Sequence, residues 1–500
     1  MVELRSLLSV FLAVVYFPAF AFLLIYSLNL YFLMFAALWR GRAGLKVSPM
    51  TDAPHVTVQV PLYNERYVSE RIIDAVSQLD WPRYRLHIQI LDDSTDETKD
   101  VVAAAVAKWA AQGLDIVQVC RPKREGYKAG ALAYGLNLTQ SDYIAIFDAD
   151  FVPSPDFLRQ TVPALVEDRK AAFIQTRWEH LNRRDSWLTR IQATSLDGHF
   201  AVEQFARSYS GLAFNFNGTA GVWRRAAIED AGGWQPTTLT EDMDLSYRAW
   251  LRGWHGLYRR DVTAPAELPP TMTAFRRQQA RWAQGSVECA RMLLPSIWRS
   301  KHSIFAKIQA TMHLTGQIVT PIMVLLLVSY PLVAVAFAQL PQITPIVTFA
   351  STLSILTFAP TLFFLLSQFL VRRWDTKSLL SVVALQVIGT GLAMNTLRAV
   401  LKAFTSRGGE FLRTPKWGNT DLTTSTYRLN ADLSVLIDFL WGLVCLLVAF
   451  LAFRERHIFM LMYGLVSCLG SWVVAFWTVW PDLRQAIYAK RRSWAVSTVK

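Results

Sequence analysis

The chain has 500 residues, of which 52% are hydrophobic and 18% are charged. Because soluble domains carry a smaller apolar fraction and about 25% charged residues, this composition excludes a purely soluble protein. The formal net charge of +13 is spread over the chain, which argues against a nucleic-acid-binding protein and indicates contact with anionic lipid or an anionic small molecule.

The segment from Leu7 to Leu38 has no charged residue and exceeds the about 20 residues that a membrane helix needs. A cleaved secretory signal is the alternative reading. The segment lacks a small-residue cleavage site, however, and a basic cluster from Arg40 to Lys46 follows it. We therefore expect an uncleaved transmembrane helix within residues 1–48.

Residues 49–270 alternate short β-rich runs with helix-like stretches, which predicts an α/β domain with a doubly wound mixed sheet. Such sheets bind ligands at the carboxyl ends of their strands. Three polar clusters follow predicted strands: Tyr63, Asn64 and Glu65, then Asp92 and Asp93, then Asp148 and Asp150. We expect these clusters to meet in one crevice.

Asp148 and Asp150 would repel each other unless a cation lay between them, and their hard oxygen atoms suit Mg²⁺ or Mn²⁺. A solvated turn is the alternative. Asp93 is expected to accept a hydrogen bond from a base or ribose, although helix capping explains part of its cluster. Tyr63 and Glu65 are expected to contact the nucleoside, unless they form a turn with Tyr63 packed on the core.

Further candidates lie in later motifs. Lys128, in the sequence GYKAG, is placed to meet phosphate oxygens. Glu241 and Asp242, in TEDMDL, offer a carboxylate that could take a proton from an acceptor hydroxyl; an acidic helix N-terminus is the alternative. The sequence QQARW at 278–282 is expected on an interfacial helix within residues 271–310, where Arg281 would face pyrophosphate and Trp282 a sugar. The alternative is that this Arg and Trp lie at lipid headgroups.

Residues 311–500 contain further apolar segments: Met312 to Leu340, Ile343 to Val371, Leu379 to Phe404, Leu433 to Phe453 and Ile458 to Trp480. Basic clusters flank several of them, which predicts a cytosolic α/β domain and C-terminus. We expect residues 379–404 to form an interfacial or re-entrant helix with a wet face at Asn395, Arg398 and Lys402. An ordinary span is the alternative. The four cysteines lack the close spacing of a zinc site or disulfide framework.

The motifs VPLYNE, LDDSTD, GYKAGAL, FDADF, NFNGTAGVWR, TEDMDL, QQARW and FLRTPK together resemble those of the family 2 membrane glycosyltransferases of the cellulose synthase superfamily. The likeness is nearest to the cellulose-synthase-like A mannan synthases and their C-type glucan relatives. It implies a GT-A fold, inverting transfer and dependence on Mg²⁺ or Mn²⁺.

The resemblance also implies roles for single residues. Asp242, with Glu241, resembles the catalytic base, and Asp148 and Asp150 resemble the metal-diphosphate pair. The implied donor site comprises Tyr63, Glu65, Asp93, Lys128, Asp148, Gln278 and Arg281. Trp282, Asn217, Gly218 and the nearby Trp223 would contact the acceptor. Phe411, Thr414 and Lys416 fit a gating loop within residues 407–420; a bare loop is the alternative.

The resulting expectation is a multi-pass protein of the plasma or inner membrane that transfers hexose from a nucleotide sugar to a growing β-linked glycan and exports the product. We expect UDP-glucose and a β-1,4-glucan first, and GDP-mannose with mannan or glucomannan second. Its partners would be the donor, the acceptor glycan and membrane lipids, without nucleic acid. The alternatives are a glycosyltransferase that adds one sugar to diacylglycerol or ceramide, and a transporter without catalysis.

Overall fold

The computed structural model describes residues 2–39, 50, 52–340, 342, 344–405 and 433–497. Within these residues, one sheet contains the strands β1 (Val56–Leu62), β2 (Leu86–Asp92), β3 (Ile116–Val119), β4 (Tyr143–Ile146), β5 (Ala171–His180), β6 (Gly221–Arg224) and β7 (His255–Ala266). Their order across the sheet is β3-β2-β1-β4-β6-β5-β7. Strands β1 to β4 are parallel, whereas β6 is antiparallel to both of its neighbours. The expected doubly wound mixed sheet is confirmed.

The helices of the N-terminal segment and of the sheet region are α1 (Val2–Phe11), α2 (Phe17–Trp39), α3 (Arg66–Ser77), α4 (Thr98–Ala110), α5 (Tyr127–Asn137), α6 (Phe157–Glu167), α7 (Trp187–Gly198), α8 (Phe205–Tyr209), α9 (Arg225–Asp230) and α10 (Glu241–Leu251). Two π-helical turns, Leu12–Tyr16 and His199–Gln204, join α1 to α2 and α7 to α8. The later helices are α11 (Met272–Arg299), α12 (Ile304–Thr315), α13 (Val319–Gln339), α14 (Thr344–Leu353), α15 (Ala359–Leu370), α16 (Thr376–Gly391), α17 (Ala393–Thr405), α18 (Ser434–Arg454) and α19 (Ile458–Ser497).

The two faces of the sheet bury different partners. One face packs on apolar residues of α3, α4 and α6, among them Ile72, Val102 and Leu158. The other face packs on α5 and α8 and also on Leu33 of α2 and Phe363 of α15. The sheet therefore shares a hydrophobic core with helices of the apolar segments, which fixes where those helices lie against its second face.

Four helical segments of the described chain are long and apolar enough to cross a membrane: Glu3–Trp39, Ile304–Ala336, Ser434–Arg454 and Ile458–Trp480. The segment expected from Ile343 to Val371 is not one continuous span, because a 3₁₀ turn at Ser354–Phe358 separates α14 from α15. Helices α16 and α17 meet at a bend of 51°.

One residue of the expected solvent-facing side of α17 is buried instead. Asn395 is only 8% exposed, and its side-chain amide donates to the carbonyl oxygen of Arg276 in α11 (3.0 Å). Lys402 is exposed, as expected. Helix α17 thus packs one polar residue against α11, because a buried amide needs a hydrogen-bond partner.

Candidate active site

Polar residues at the ends of β1 and β2 meet at one edge of the sheet. The two strands are parallel and in register to their last residues. Asn64 joins their ends, because its backbone N–H donates to Ser94 Oγ (2.9 Å) and its Oδ1 accepts from the Thr95 N–H (2.7 Å). The neighbouring residues expected to contact a nucleoside line one cavity as a result: Tyr63, Glu65 and Asp93.

Asp93 is held by an arginine that the sequence analysis did not single out. Arg121 Nε donates to Asp93 Oδ1 (3.0 Å), and both side chains are 7% exposed. The same guanidinium donates to the carbonyl oxygens of Glu125 (2.8 Å) and Tyr127 (3.0 Å). Arg121 therefore fixes the Asp93 carboxylate and the loop before α5 relative to each other.

A second arginine after β3 covers Tyr63. The Arg124 guanidinium lies 3.4 Å from the ring centroid of Tyr63 and 4.9 Å from that of Tyr127. All three residues line the cavity. Arg121 and Arg124 both follow a parallel strand, so the strand-end rule that selected the acidic clusters would also have selected them.

Lys128 is the cation at the centre of the site. Its Nζ lies 2.5 Å from Asp148 Oδ1 and donates to the carbonyl oxygen of Gly218 (2.9 Å). Burial lowers the pKa of Lys128, but Asp148, Glu241 and Asp242 raise it by more, so its pKa lies above the usual value. The lysine is therefore charged at neutral pH.

The backbone at Gly218 approaches the Asp242 carboxylate closely. Gly218 has φ +77°, and a Cβ at this position would lie 3.0 Å from Asp242 Oδ2 and 3.3 Å from Lys128 Nζ. Asp242 Oδ1 accepts from the Met243 N–H (2.8 Å). Only glycine combines this left-handed backbone with room for both charged groups.

Asp242 has the properties of a base that works near neutral pH. Burial and the adjacent Glu241 carboxylate raise the pKa of Asp242 to about 7, although Lys128 and the Met243 N–H oppose the shift. A general base is most effective when its pKa lies close to the working pH. Asp242 can therefore accept a proton at neutral pH and release it to solvent.

Asp148 and Asp150 follow β4 and line the same cavity. Their oxygen atoms are the ligand type that Mg²⁺ and Mn²⁺ prefer, and the side chain of Asp148 is 34% exposed. Among the described residues, no group of three or more His, Cys, Asp or Glu side chains is arranged to hold a metal ion. The pair suits an ion of which the remaining ligands are water and substrate phosphate, as is usual for Mg²⁺.

Helix α11 brings Gln278, Arg281 and Trp282 to the cavity wall. Burial lowers the pKa of Arg281, whereas Glu241, Asp148 and Asp242 act to raise it, which indicates that the guanidinium is near all three carboxylates. The helix is held by an ion pair between Arg276 and Asp438 of α18 (2.6 Å). Its position therefore depends on the C-terminal apolar helices as well as on the sheet.

Helix α11 also holds the loop before the acidic pair. Glu288 Oε2 accepts from the Leu239 N–H (3.0 Å), and Gln284 Nε2 donates to Glu288 Oε1 (2.8 Å). A Cβ on Gly285 would lie 2.6 Å from Thr240 Cγ2. The residues after QQARW thus set the position of α10, which begins at Glu241.

Of the proposed acceptor contacts, Asn217 and Gly218 line the cavity, but Trp223 does not. Trp223 is 0% exposed and packs among the rings of Phe173, Phe216 and Trp234. It is a core residue of β6, because alternate residues of that strand face the apolar side of the sheet. Phe411, Thr414 and Lys416 lie outside the described residues.

Apart from Trp223, every predicted site residue that the structure describes lines one cavity of about 710 Å³. Asp93, Asp150 and Asp242, which are far apart in sequence, share it. Its wall also includes Tyr26, Asn29, Gln317 and Thr320, which belong to apolar helical segments long enough to cross a membrane.

Residues 53–285 match the family described as "Glycosyltransferase like family 2". This segment contains the sheet, the acidic clusters and QQARW. Residues 53–285 form a family 2 glycosyltransferase domain. The doubly wound mixed sheet is the GT-A architecture that the resemblance implied.

The relatives of the family 2 domain include two plant proteins. The chain is 48% identical over 252 residues to glucomannan 4-beta-mannosyltransferase 1 of Oryza sativa subsp. japonica, covering 50% of this chain and 48% of that protein. It is 48% identical over 261 residues to glucomannan 4-beta-mannosyltransferase 2 of Arabidopsis thaliana, covering 51% and 49%. The chain thus spans about half the length of these curated relatives.

Among solved structures, the chain is similar to a mannosyltransferase from Pyrobaculum calidifontis in complex with GDP-Man and Mn²⁺. The identity is 22% and the TM-score is 0.47, over 71% of this chain and 99% of that chain.

Proposed function

We propose that this protein is a membrane-embedded glycosyltransferase that moves hexose, with inversion, from a nucleotide sugar to a β-linked glycan. The observation that carries the proposal is the single cavity in which Asp93, Lys128, Asp148, Asp242 and Arg281 meet. Such a site needs a base for the acceptor and positive charge for the leaving diphosphate. The cavity contains both.

The acceptor hydroxyl would lose its proton to Asp242. The pKa of about 7 allows this carboxylate to be ionised in a large fraction of molecules at neutral pH. Glu241 contributes by raising that pKa, and the Met243 N–H holds one carboxylate oxygen in place. Trp282, Asn217 and Gly218 would orient the acceptor sugar beside Asp242.

The diphosphate of the donor would lie against Lys128 and Arg281, with Gln278 as a further hydrogen-bonding group. Asp148 and Asp150 would hold Mg²⁺ or Mn²⁺, which when bound neutralises charge on the leaving group. Lys128 would then exchange its contact with Asp148 for one with a phosphate oxygen, since a lysine side chain is a mobile point charge. Tyr63, Glu65 and Asp93 would bind the nucleoside.

Mannose is the favoured sugar. The expectation from sequence placed UDP-glucose first, but the plant relatives are named glucomannan 4-beta-mannosyltransferases, which reverses the order. We therefore propose GDP-mannose as the donor and a β-1,4-linked mannan or glucomannan as the product. UDP-glucose is the second donor to test.

Processive synthesis with export is the finer part of the proposal. Polar side chains from apolar helices, Tyr26, Asn29 and Gln317, line the cavity that also contains Asp242. A glycan leaving the base would meet these groups next, and hydroxyl-rich chains need such partners in an apolar layer. The family 2 domain would then lie on the cytosolic side.

The test is a product assay with the purified protein in detergent, using labelled GDP-mannose or UDP-glucose with Mn²⁺ or Mg²⁺. The expected product stays at the chromatographic origin and is digested by endo-mannanase. A product digested only by endo-glucanase would show that the polymer is a glucan, as first expected from the sequence. A single-sugar lipid that extracts into organic solvent would refute processive synthesis. Absence of transfer with either donor would favour the alternative of a transporter without catalysis.

A further inference from the structure

Another set of charged and polar side chains lines the cavity beside Asn217. We call it the Glu203 cluster; it consists of His199, Glu203, Arg207, Asn217 and His313. His199 and Glu203 lie in the π-helical turn His199–Gln204. Such turns are rare, and they occur frequently at functional sites.

Glu203 is the centre of the cluster. Its Oε2 lies 3.1 Å from His199 Nδ1, and its Oε1 lies 3.1 Å from Arg207 Nε and 3.9 Å from His313 Nε2. Burial acts to raise the pKa of Glu203, but His199 and Arg207 lower it by more. The carboxylate is therefore ionised and fixed between three partners.

The hydrogen bonds of His199 define its tautomer. His199 Nε2 lies 2.9 Å from Asn217 Nδ2 and 3.1 Å from Gln204 Nε2. Because both amide nitrogens are donors, Nε2 is the acceptor and Nδ1 carries the proton toward Glu203. Glu203 thus orients His199, and His199 orients the Asn217 amide.

The cluster is open to the cavity, unlike a purely structural ion pair in the same domain. Arg183 and Asp197 are 7% and 1% exposed, and neither lines the cavity. Glu203 and His199 retain 24% and 25% of their side-chain exposure, and both line it. Both ring nitrogens of His199 are already bonded, so the lone pairs that a ligand could use belong to the Glu203 carboxylate.

The cluster adjoins the base on one side and the apolar helices on the other. Asn217 directly precedes Gly218, at which a Cβ would lie 3.0 Å from Asp242 Oδ2. His313 belongs to the segment Ile304–Ala336, and its Nδ1 lies 2.7 Å from the hydroxyl oxygen of Tyr247 on α10. A glycan that begins at Asp242 and continues toward these helices would pass Glu203.

We propose that the Glu203 cluster is a carbohydrate subsite that binds the hydroxyl groups of the second sugar of the acceptor glycan, next to the sugar that reacts. The Glu203 carboxylate can accept from sugar hydroxyls, the Asn217 amide can both accept and donate, and His199 positions these two groups. The inference rests on the proposed function, because it assumes a glycan acceptor.

The experiment measures the acceptor KM of the full chain with Glu203→Gln and His199→Gln, using mannobiose and mannotriose. Loss of a hydrogen bond to a charged group raises the acceptor KM about tenfold, while the KM for the nucleotide sugar changes less than twofold. The matched control is Glu229→Gln, because Glu229 also pairs with an arginine four residues away, Arg225 (2.7 Å), but is 54% exposed. Its acceptor KM stays at the wild-type value.

Direct binding of labelled manno- and cello-oligosaccharides to the same proteins separates this inference from the proposed function. Wild-type protein that transfers no sugar would refute the proposed function, and the binding data would still decide on the subsite. The subsite is refuted if both variants bind oligosaccharides as the wild type does. It is also refuted if acceptor and donor affinity fall together with a lower Tm, since the cluster would then be structural only.

Discussion

Two groups of buried and partly buried charges lie in and beside the family 2 domain and are built differently. The junction cluster, between β5, α7 and the helices that follow, consists of Arg177, Glu179, Arg183, Asp197 and Arg373. The cavity cluster consists of Lys128, Asp148, Glu241, Asp242 and Arg281. In the first, arginines surround each carboxylate; in the second, three carboxylates share two cations.

The junction cluster holds parts of the chain together. Glu179 accepts from Arg177 (3.2 Å) and Arg373 (2.8 Å), and Asp197 pairs with Arg183 and accepts from Gln368 Nε2 (3.1 Å). Burial raises the pKa of Asp197 despite the nearby Arg183, so each partner depends on the other for its charge. Such a pair is strongly coupled to folding.

The cavity cluster instead keeps its charges available. Burial and the adjacent Glu241 carboxylate raise the pKa of Asp242 to about 7, and the two cations line the cavity. The comparison indicates that the balance of charge and the position at the cavity wall, more than the residue types, separate the junction cluster from the proposed catalytic cluster.

The largest expected effect tests the cavity cluster. Asp242→Asn removes the proposed base, so the transfer rate falls by about 10²–10⁴-fold. Binding of GDP, measured by calorimetry, stays within a few-fold of the wild type, because the donor contacts are intact. The control is Asp261→Asn, which changes an exposed carboxylate paired with Arg259 and keeps full activity. Transfer that persists in Asp242→Asn would show that another group is the base.

The corresponding change in the junction cluster is Asp197→Asn. It removes the direct ion-pair partner of the buried Arg183 guanidinium, which costs about 3–5 kcal/mol of stability. Thermal unfolding in detergent should show a clearly lower Tm, whereas Asp242→Asn should not. Equal Tm values for Asp197→Asn and wild type would remove the contrast between the clusters.

Gly218→Ala tests whether transfer depends on the close approach of residue 218 to Asp242. The new methyl group meets Asp242 Oδ2 at 3.0 Å, and a displacement of this order lowers the rate about 10²-fold. The matched control is Gly211→Ala, because Gly211 also has a positive φ (+66°) but nothing within 4 Å of a Cβ. It carries the same backbone strain, so similar rates for the two variants would assign the effect to strain alone.

The smallest expected effect is a change with pH in the Tm difference between Asp242→Asn and the wild type. A raised pKa means that the folded protein binds this proton more tightly than the unfolded chain, so the contribution of Asp242 to stability falls as pH rises toward 7. The Tm of the variant, relative to wild type, should therefore rise from pH 5 to pH 8.

The wild-type transfer rate should fall about tenfold per pH unit below 7. A flat activity profile between pH 5 and 7 would contradict the pKa assignment.

The pattern of β-rich runs determined the four parallel strands, because each is a short run rich in Val, Ile or Leu that is visible in the sequence. The strand-end rule likewise selected Asp93, Asp148 and Asp150, because these residues come directly after predicted strands in the sequence. Apolar length determined which segments can cross a membrane, with the exception of the interrupted segment before Val371.

Only the tertiary structure decided the role of Asp92, the residue next to Asp93. Asp92 is 1% exposed and accepts from Ser94 and Gln118, whereas Asp93 lines the cavity. It also placed Trp223 in the core and Glu203 at the cavity wall. These outcomes depend on contacts between residues distant in sequence, and the free energy of burial or ion pairing exists only when those partners meet.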